Sequence, residues 1–318
     1  MRYAEATIIT LVIPVYNEAR VIEANLHHIL QVAQPAGADY SIELLVVDDG
    51  STDGTAQALE HFCALHPRAR HLEFTRNFGK EAAIQAGLEH SNSDAVILLD
   101  SDLQHPPELI PDMVAMWRGG ARVVEARKTH RGKEPWYGKL FAVLFYRLFH
   151  SLAGLDLRGQ SDFKLLDRVV VLQYQQIRER QRFFRGLIQW MHYPTACIPF
   201  EVAARAGGNS GWGLFKLFRY ALHNITAFSA LPLQFVSWIG ALSLFVGLVF
   251  GGITVVQKIS GQALDGFTTV ILLIIFFSGM LMLSLGIIGH YLARIHDEIK
   301  KRPAYILHPD TKAELNQA

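Results

Sequence analysis

The sequence contains only two cysteines, Cys63 and Cys197, in 318 residues. Two thiols cannot build a disulfide framework or a four-cysteine zinc site, and both are expected as reduced core residues of a cytosolic domain. Net charge is nearly absent too. The 30 Lys and Arg against 29 Asp and Glu leave +1, so nothing in the overall balance suggests a nucleic-acid partner. Charge is also missing locally: residues 220–293 carry only Lys258 and Asp265. The other 244 residues hold 57 of the 59 charges, about 23%, an ordinary globular fraction. The positive mean hydropathy of +0.18 thus comes from one end of the chain. This pattern reads as a soluble domain joined to a membrane anchor and excludes disorder, collagen-like repeats and a polytopic transporter. An export signal is not expected, because Arg2 and Glu5 precede a run, Ile8 to Val15, that is short and interrupted by Pro14.

Up to residue 126, short β-branched runs alternate with helical periods. Strands are expected over 10–15, 42–47, 71–74, 95–99 and 121–126, and helices over 21–32, 55–65, 80–90 and 107–117. The strand cores, such as Leu44-Leu45-Val46-Val47, are purely apolar, as strands covered on both faces should be. The expected fold class is α/β, a mostly parallel sheet with helices on both sides.

Ligands of such sheets collect at strand ends. Three of the first four strands run into polar clusters: Pro14 to Glu18, Asp48 to Thr55, and Asp100 to His105. Any one alone could be a turn with a helix cap, but three acid-rich ends on one rim argue for a site. Asp49, Ser51, Asp53, Gly54 and Glu60 imitate a calcium-hand loop, but the preceding run is a strand where that motif needs a helix. Asp100 and Asp102, two apart after a buried strand, suit a hard cation, Mg2+ or Mn2+, with positions left open for diphosphate oxygens.

Val12-Ile13-Pro14-Val15-Tyr16-Asn17-Glu18, Val47 to Thr55, Arg76-Asn77-Phe78-Gly79-Lys80 and Asp100-Ser101-Asp102-Leu103-Gln104 together resemble the successive motifs of inverting family-2 glycosyltransferases of the GT-A fold. The nearest group is the polyprenyl-phosphate glycosyltransferases, which include bactoprenol glucosyltransferase and dolichol-phosphate mannose synthase. The resemblance continues through Ser161 to Leu166, Arg182 to Leu187 and Phe228 to Leu233. It implies a nucleotide-sugar donor, with UDP-glucose favoured, and a polyprenyl phosphate acceptor such as undecaprenyl phosphate, in a pathway of cell-envelope polysaccharide. Pro14, Tyr16, Glu18, Asp48, Asp49, Lys80 and Asp100 would bind the donor. Asp100 and Asp102 would hold the metal, Gln104 would lie near the donor phosphates or acceptor, and Asp162 would face the reacting centre as the family's proposed base. Arg127 and Arg205 would contact phosphate. Gly211 stands where relatives carry lysine. A phosphate acceptor has a second pKa of about 6 and is mostly a dianion at pH 7, so a base is chemically unnecessary. A processive polysaccharide synthase and a non-catalytic membrane adaptor are the alternatives.

Residues 118–147 hold eight basic and two acidic side chains, next to aromatic residues at helical spacing. A segment over 135–152 is therefore a candidate interfacial helix, with a second amphipathic segment over 212–231. The catalytic domain is expected over 1–211, membrane spans over 232–257 and 266–293, and a basic tail over 294–318. Two spans put both termini on the cytoplasmic side of the cytoplasmic membrane. Gly247 and Gly251 form a GxxxG that permits close helix packing and a homo-oligomer.

Overall fold

The computed structural model describes residues 7–34, 39–128, 159–179, 182–200, 231–261 and 266–311. These fall into two compact units: one holds the residues up to Phe200 together with those from Arg302, and the other holds the two long apolar helices.

The first unit is built on strands β1 (Thr7–Val15), β2 (Tyr40–Asp48), β3 (Ala69–Glu73), β4 (Ala95–Leu98), β5 (Val123–Lys128), β6 (Gln160–Asp167) and β7 (Thr195–Phe200). Helices α1 (Ile22–Ala33), α2 (Thr55–Leu65), α3 (Lys80–Glu89), α4 (Ile110–Arg118), α5 (Arg168–Gln176) and α6 (Phe184–Trp190) connect them. The sheet order is β3-β2-β1-β4-β6-β5-β7. The α/β class and the mostly parallel sheet are as expected, in an arrangement of the GT-A kind.

Register places the site. Val15 pairs with Asp48 and Val12 with Leu98, so β1, β2 and β4 end on one edge. Strand β6 runs antiparallel to β4 with Lys164 opposite Leu98, which carries Asp162 past the end of β4 to the level of Asp100. On one face Ile9, Leu11, Ile13, Ile97, Phe163 and Leu165 form a buried core with α1, α2 and α4. On the other face α3 lies so close to β1 that a Cβ at Gly87 would sit 2.1 Å from Val12 Cγ1. Gly87 thus sets how deeply the helix that begins at Lys80 can seat.

One expectation is overturned in part. Cys63 is half-buried and packs against the core as expected, but Cys197 is exposed on the edge strand β7.

In the second unit, α7 (Leu231–Ile259) and α8 (Phe267–Ile299) contain the stretches Val236–Ile259 and Phe276–Ile299, with mean hydropathy 2.3 and 1.6. Both are long and apolar enough to cross a membrane. Gly247 faces the partner helix, where an added Cβ would contact the Phe277 ring at 3.8 Å. The candidate interfacial helix over 135–152 and nearly all of 212–231 lie outside the described residues.

Candidate active site

The polar loops after β1 and β2 are zipped together by their own side chains. Ser51 Oγ accepts from the Asn17 amide at 2.8 Å, Thr55 Oγ1 from the Glu18 amide at 2.9 Å, and Asn17 Oδ1 from the Thr52 amide at 2.8 Å. Asp53 Oδ2 accepts from the Ala19 amide at 3.2 Å. This arrangement needs Asn17 in the left-handed region, at φ 55°, where asparagine is tolerated better than most residues. Ser51, Asp53 and Thr55 therefore shape the rim.

Asp49 ties this rim to a third loop. Its carboxylate accepts from the Phe78 amide at 2.6 Å and from the Gly79 amide at 2.9 Å, immediately before α3. Burial pushes its carboxyl up, and the two amides pull it back. Gly50, at φ 68°, lets the chain pass Arg76, whose carbonyl carbon would lie 2.3 Å from any Cβ there. Asp48 is fully buried, and Ser51 donates to it through its amide at 3.0 Å. Asp48 Oδ2 and Glu18 Oε2 are buried with no hydrogen-bond partner among the described residues. Burial raises the Glu18 carboxyl; a hydrogen bond with Ser101 opposes this, while the charges of Asp102, Asp100 and Asp53 add to it. Tyr16 presents an exposed ring at the same edge, and Pro14 is half-buried in β1.

The turn after β4 contains a second strained residue, Leu103 at φ 55°, and Gln104 donates its amide to Asp102 Oδ1 at 3.1 Å. His105 is buried against Phe163 and its Nδ1 lies 3.7 Å from Asp100 Oδ2. The Lys80 ammonium bridges Asp100 Oδ1 at 2.5 Å and Asp162 Oδ2 at 2.8 Å. Arg185, from α6, grips Asp162 at two points, Nε to Oδ1 at 2.6 Å and Nη2 to Oδ2 at 2.9 Å. Burial would raise the Asp162 carboxyl, but the Arg185 hydrogen bonds and the charges of Arg185 and Lys80 hold it far below the usual carboxylate range. Burial depresses the Lys80 ammonium, and Asp162 with Asp100 more than restores it.

On the far side of β6 the charges are basic. Burial lowers the Lys128 ammonium, and the neighbouring Arg185 charge lowers it further. Arg127 lies 3.4 Å from Glu125 Oε2, and the Glu125 carboxylate also meets the fully buried Lys164 ammonium at 2.8 Å. The structure therefore unites Lys80, Asp100 and Asp162, sets Glu18 and Asp102 beside them, and keeps Asp48 and Asp49 below the rim. Arg205 lies outside the described residues. Sequence reading gave no role to Arg185 or His105, although both stand inside quoted motifs.

Among the described residues, no group of three or more His, Cys, Asp and Glu side chains forms a ready cation cage. The donor set still fits a hard divalent ion, which binds through one or two carboxylates and takes its other ligands from phosphate and water. The unpartnered Glu18 oxygen and the mutual repulsion of these acids mark where positive charge would be accepted.

Residues 10–173 match the model of glycosyl transferase family 2. An uncharacterised glycosyltransferase of Bacillus subtilis is 35% identical over 94% of this chain and 92% of its own length. A prophage bactoprenol glucosyl transferase homologue of Escherichia coli is 33% identical over 94% and 98%, and the bactoprenol glucosyl transferase of Shigella phage SfII is 33% identical over 94% and 97%.

Proposed function

The chain belongs to glycosyl transferase family 2 and is a glycosyltransferase, and on that premise we propose that it transfers one sugar from a nucleotide-sugar donor to a membrane polyprenyl phosphate, inverting the anomeric centre. UDP-glucose is the proposed donor and undecaprenyl phosphate the proposed acceptor, in line with the bactoprenol glucosyl names of two relatives.

The observation that carries this reading is the Asp162 array. An acceptor hydroxyl would need a base, whereas Asp162 is a very weak one, clamped between Arg185 and Lys80. A phosphate acceptor arrives largely ionised. Its oxygen attacks C1 from the face opposite the leaving group, the C1–O bond breaks, and the nucleoside diphosphate departs with the electron pair. No proton has to move. Asp162 then acts by holding Arg185 and Lys80 in place; Arg185 with Lys128, Arg127 and Arg205 attracts the acceptor phosphate, while Lys80 serves the donor side. Pro14, Tyr16, Glu18, Asp48 and Asp49 form or support the donor pocket, and Gln104 would lie near the donor phosphates or the acceptor. Asp100 and Asp102 would hold Mg2+ or Mn2+, which neutralises charge on the departing diphosphate when bound.

The apolar helices supply the membrane anchor that a lipid acceptor requires. Residues on both sides of them belong to one compact unit, which supports an even number of crossings, with that unit proposed on the cytoplasmic side. The test is to incubate membranes containing the protein with individual nucleotide sugars and identify lipid-linked products. Glucosyl phosphoryl undecaprenol from UDP-glucose is expected. Donor consumption with transfer to water or to a free sugar alone overturns the reading.

A further inference from the structure

The residues that follow the second apolar helix return to the first unit and join its sheet at the free edge of β3. The Thr75 amide donates to the Ile306 carbonyl at 3.0 Å, the His308 amide donates to the Glu73 carbonyl at 2.8 Å, and Phe74 pairs with Leu307 in an antiparallel bridge. The Tyr305 ring stacks on Phe74 with centroids 5.0 Å apart and planes 12° from parallel. Its hydroxyl donates to Glu89 Oε2 at 2.6 Å, and burial with this bond to a carboxylate pushes the phenol well up.

These contacts fall on both ends of one substructure. Phe74 directly follows β3, and Glu89 closes α3. Between them runs the Arg76–Gly79 turn, whose Phe78 and Gly79 amides bind Asp49, followed by Lys80 reaching Asp100 and Asp162. Phe74 also meets the Phe78 ring edge-on at 5.7 Å. Tyr305 thus braces the base of the turn through its ring and the far end of the Lys80 helix through its hydroxyl.

We infer that residues 305–308 are a positioning strap for the Lys80 turn, so that the donor side of the site depends on chain lying beyond both apolar helices. The activity arm of this inference rests on the proposed function; the exchange arm does not.

The test uses the full-length protein in detergent micelles or lipid nanodiscs, carrying Tyr305→Ala or Tyr305→Phe. Hydrogen exchange is followed in peptides covering 76–80 and 84–90, with circular dichroism as a check on folding. In Tyr305→Ala, exchange at Phe78 and Gly79 should accelerate about tenfold or more, and the KM for the donor should rise while that for the acceptor stays put. Tyr305→Phe keeps the stack and loses the hydroxyl, so it should protect 78–79 nearly as wild type does and loosen only the end of α3. Unchanged protection at 78–79 in a folded Tyr305→Ala protein overturns the strap. Faster exchange there, alongside a wild-type protein that makes no lipid-linked product, upholds the strap and rejects the functional reading instead.

Discussion

The two halves of the sheet carry opposite charge. Around β1, β2 and β4 the strands end in acids, Glu18, Asp100 and Asp102. Around β5, β6 and α6 the half-buried rim is basic, with Arg127, Lys128 and Arg185. Each half sends one counter-charge across the seam: Lys80 comes from the acidic side, and Asp162 from the basic side. An acidic half suits a cation and the diphosphate it neutralises, whereas a basic half suits a bare phosphate. Parallel strands deliver the first set as loops at a common edge. The second set needs an antiparallel strand, because only reversal brings the start of β6 to the ends of β1, β2 and β4.

The strongest way to break this division is to remove a carboxylate from the acidic rim. Asp102→Asn should lower the turnover for lipid-linked product by roughly 10³-fold, with chelation having a similar effect, since a metal contributes several kcal/mol of charge stabilisation. Folding should be untouched, because Asp102 is exposed. Full turnover in excess chelator would remove the metal from the acidic half.

In the basic half the buried acid should matter for folding. Glu125→Gln strands the Lys164 ammonium in the interior and should cost about 3 kcal/mol of unfolding free energy, read by chemical denaturation. Glu125→Leu combined with Lys164→Met should recover most of that loss. Equal stability of the single variant and wild type would show that the pair is not a structural unit.

The seam itself is probed by Asp162→Asn between pH 5.5 and 8.5. Its depressed carboxyl keeps it ionised throughout that window, so any stability it adds is present above the unfolded value near 3.8 and is lost only in stronger acid. A roughly 10²-fold rate deficit that is flat with pH is expected if Asp162 positions its cations. A deficit that shrinks above pH 6 would restore it as a base. Glu81, whose carboxyl burial pushes up to about 7, accepts from the Phe184 amide beside Arg185 and titrates within the same window. The comparison therefore has to be repeated with Glu81→Gln in both proteins.

The strands and helices of the acidic half could be read from the sequence closely, whereas in the basic half only the strand over 121–126 is expected and the strands at 160–167 and 195–200 are not. Helix α2 begins and ends where its period does, at Thr55 and Leu65, because Thr55 is anchored by neighbouring Asp53 and the apolar positions repeat toward one core. Strand β3 starts earlier than its apolar letters suggest, since the edge position lets Arg70 stay exposed within it. Strand β6 hides its nature: Gln160, Ser161, Asp162, Lys164 and Asp167 are all buried, and their burial depends on partners far away in sequence. Lys164 needs Glu125, and Asp162 needs Lys80 and Arg185. Local pattern carries no record of such pairings. Cys197 misled for the related reason that β7 is an edge strand, so half its residues face water.

The Tyr305 contact also has a consequence in time. Tyr305 lies 216 residues after Glu89, and at ribosomal rates of about 5–20 residues per second the interval between them is roughly 10–40 s. Throughout that interval a nascent chain has its Lys80 turn without the outer brace, and both apolar helices must be synthesised before the brace exists. Bracing of the Lys80 turn is thereby ordered after synthesis of both apolar helices. On the strap proposed above, a chain interrupted before the two apolar helices is expected to release a domain whose Lys80 turn lacks the Tyr305 brace.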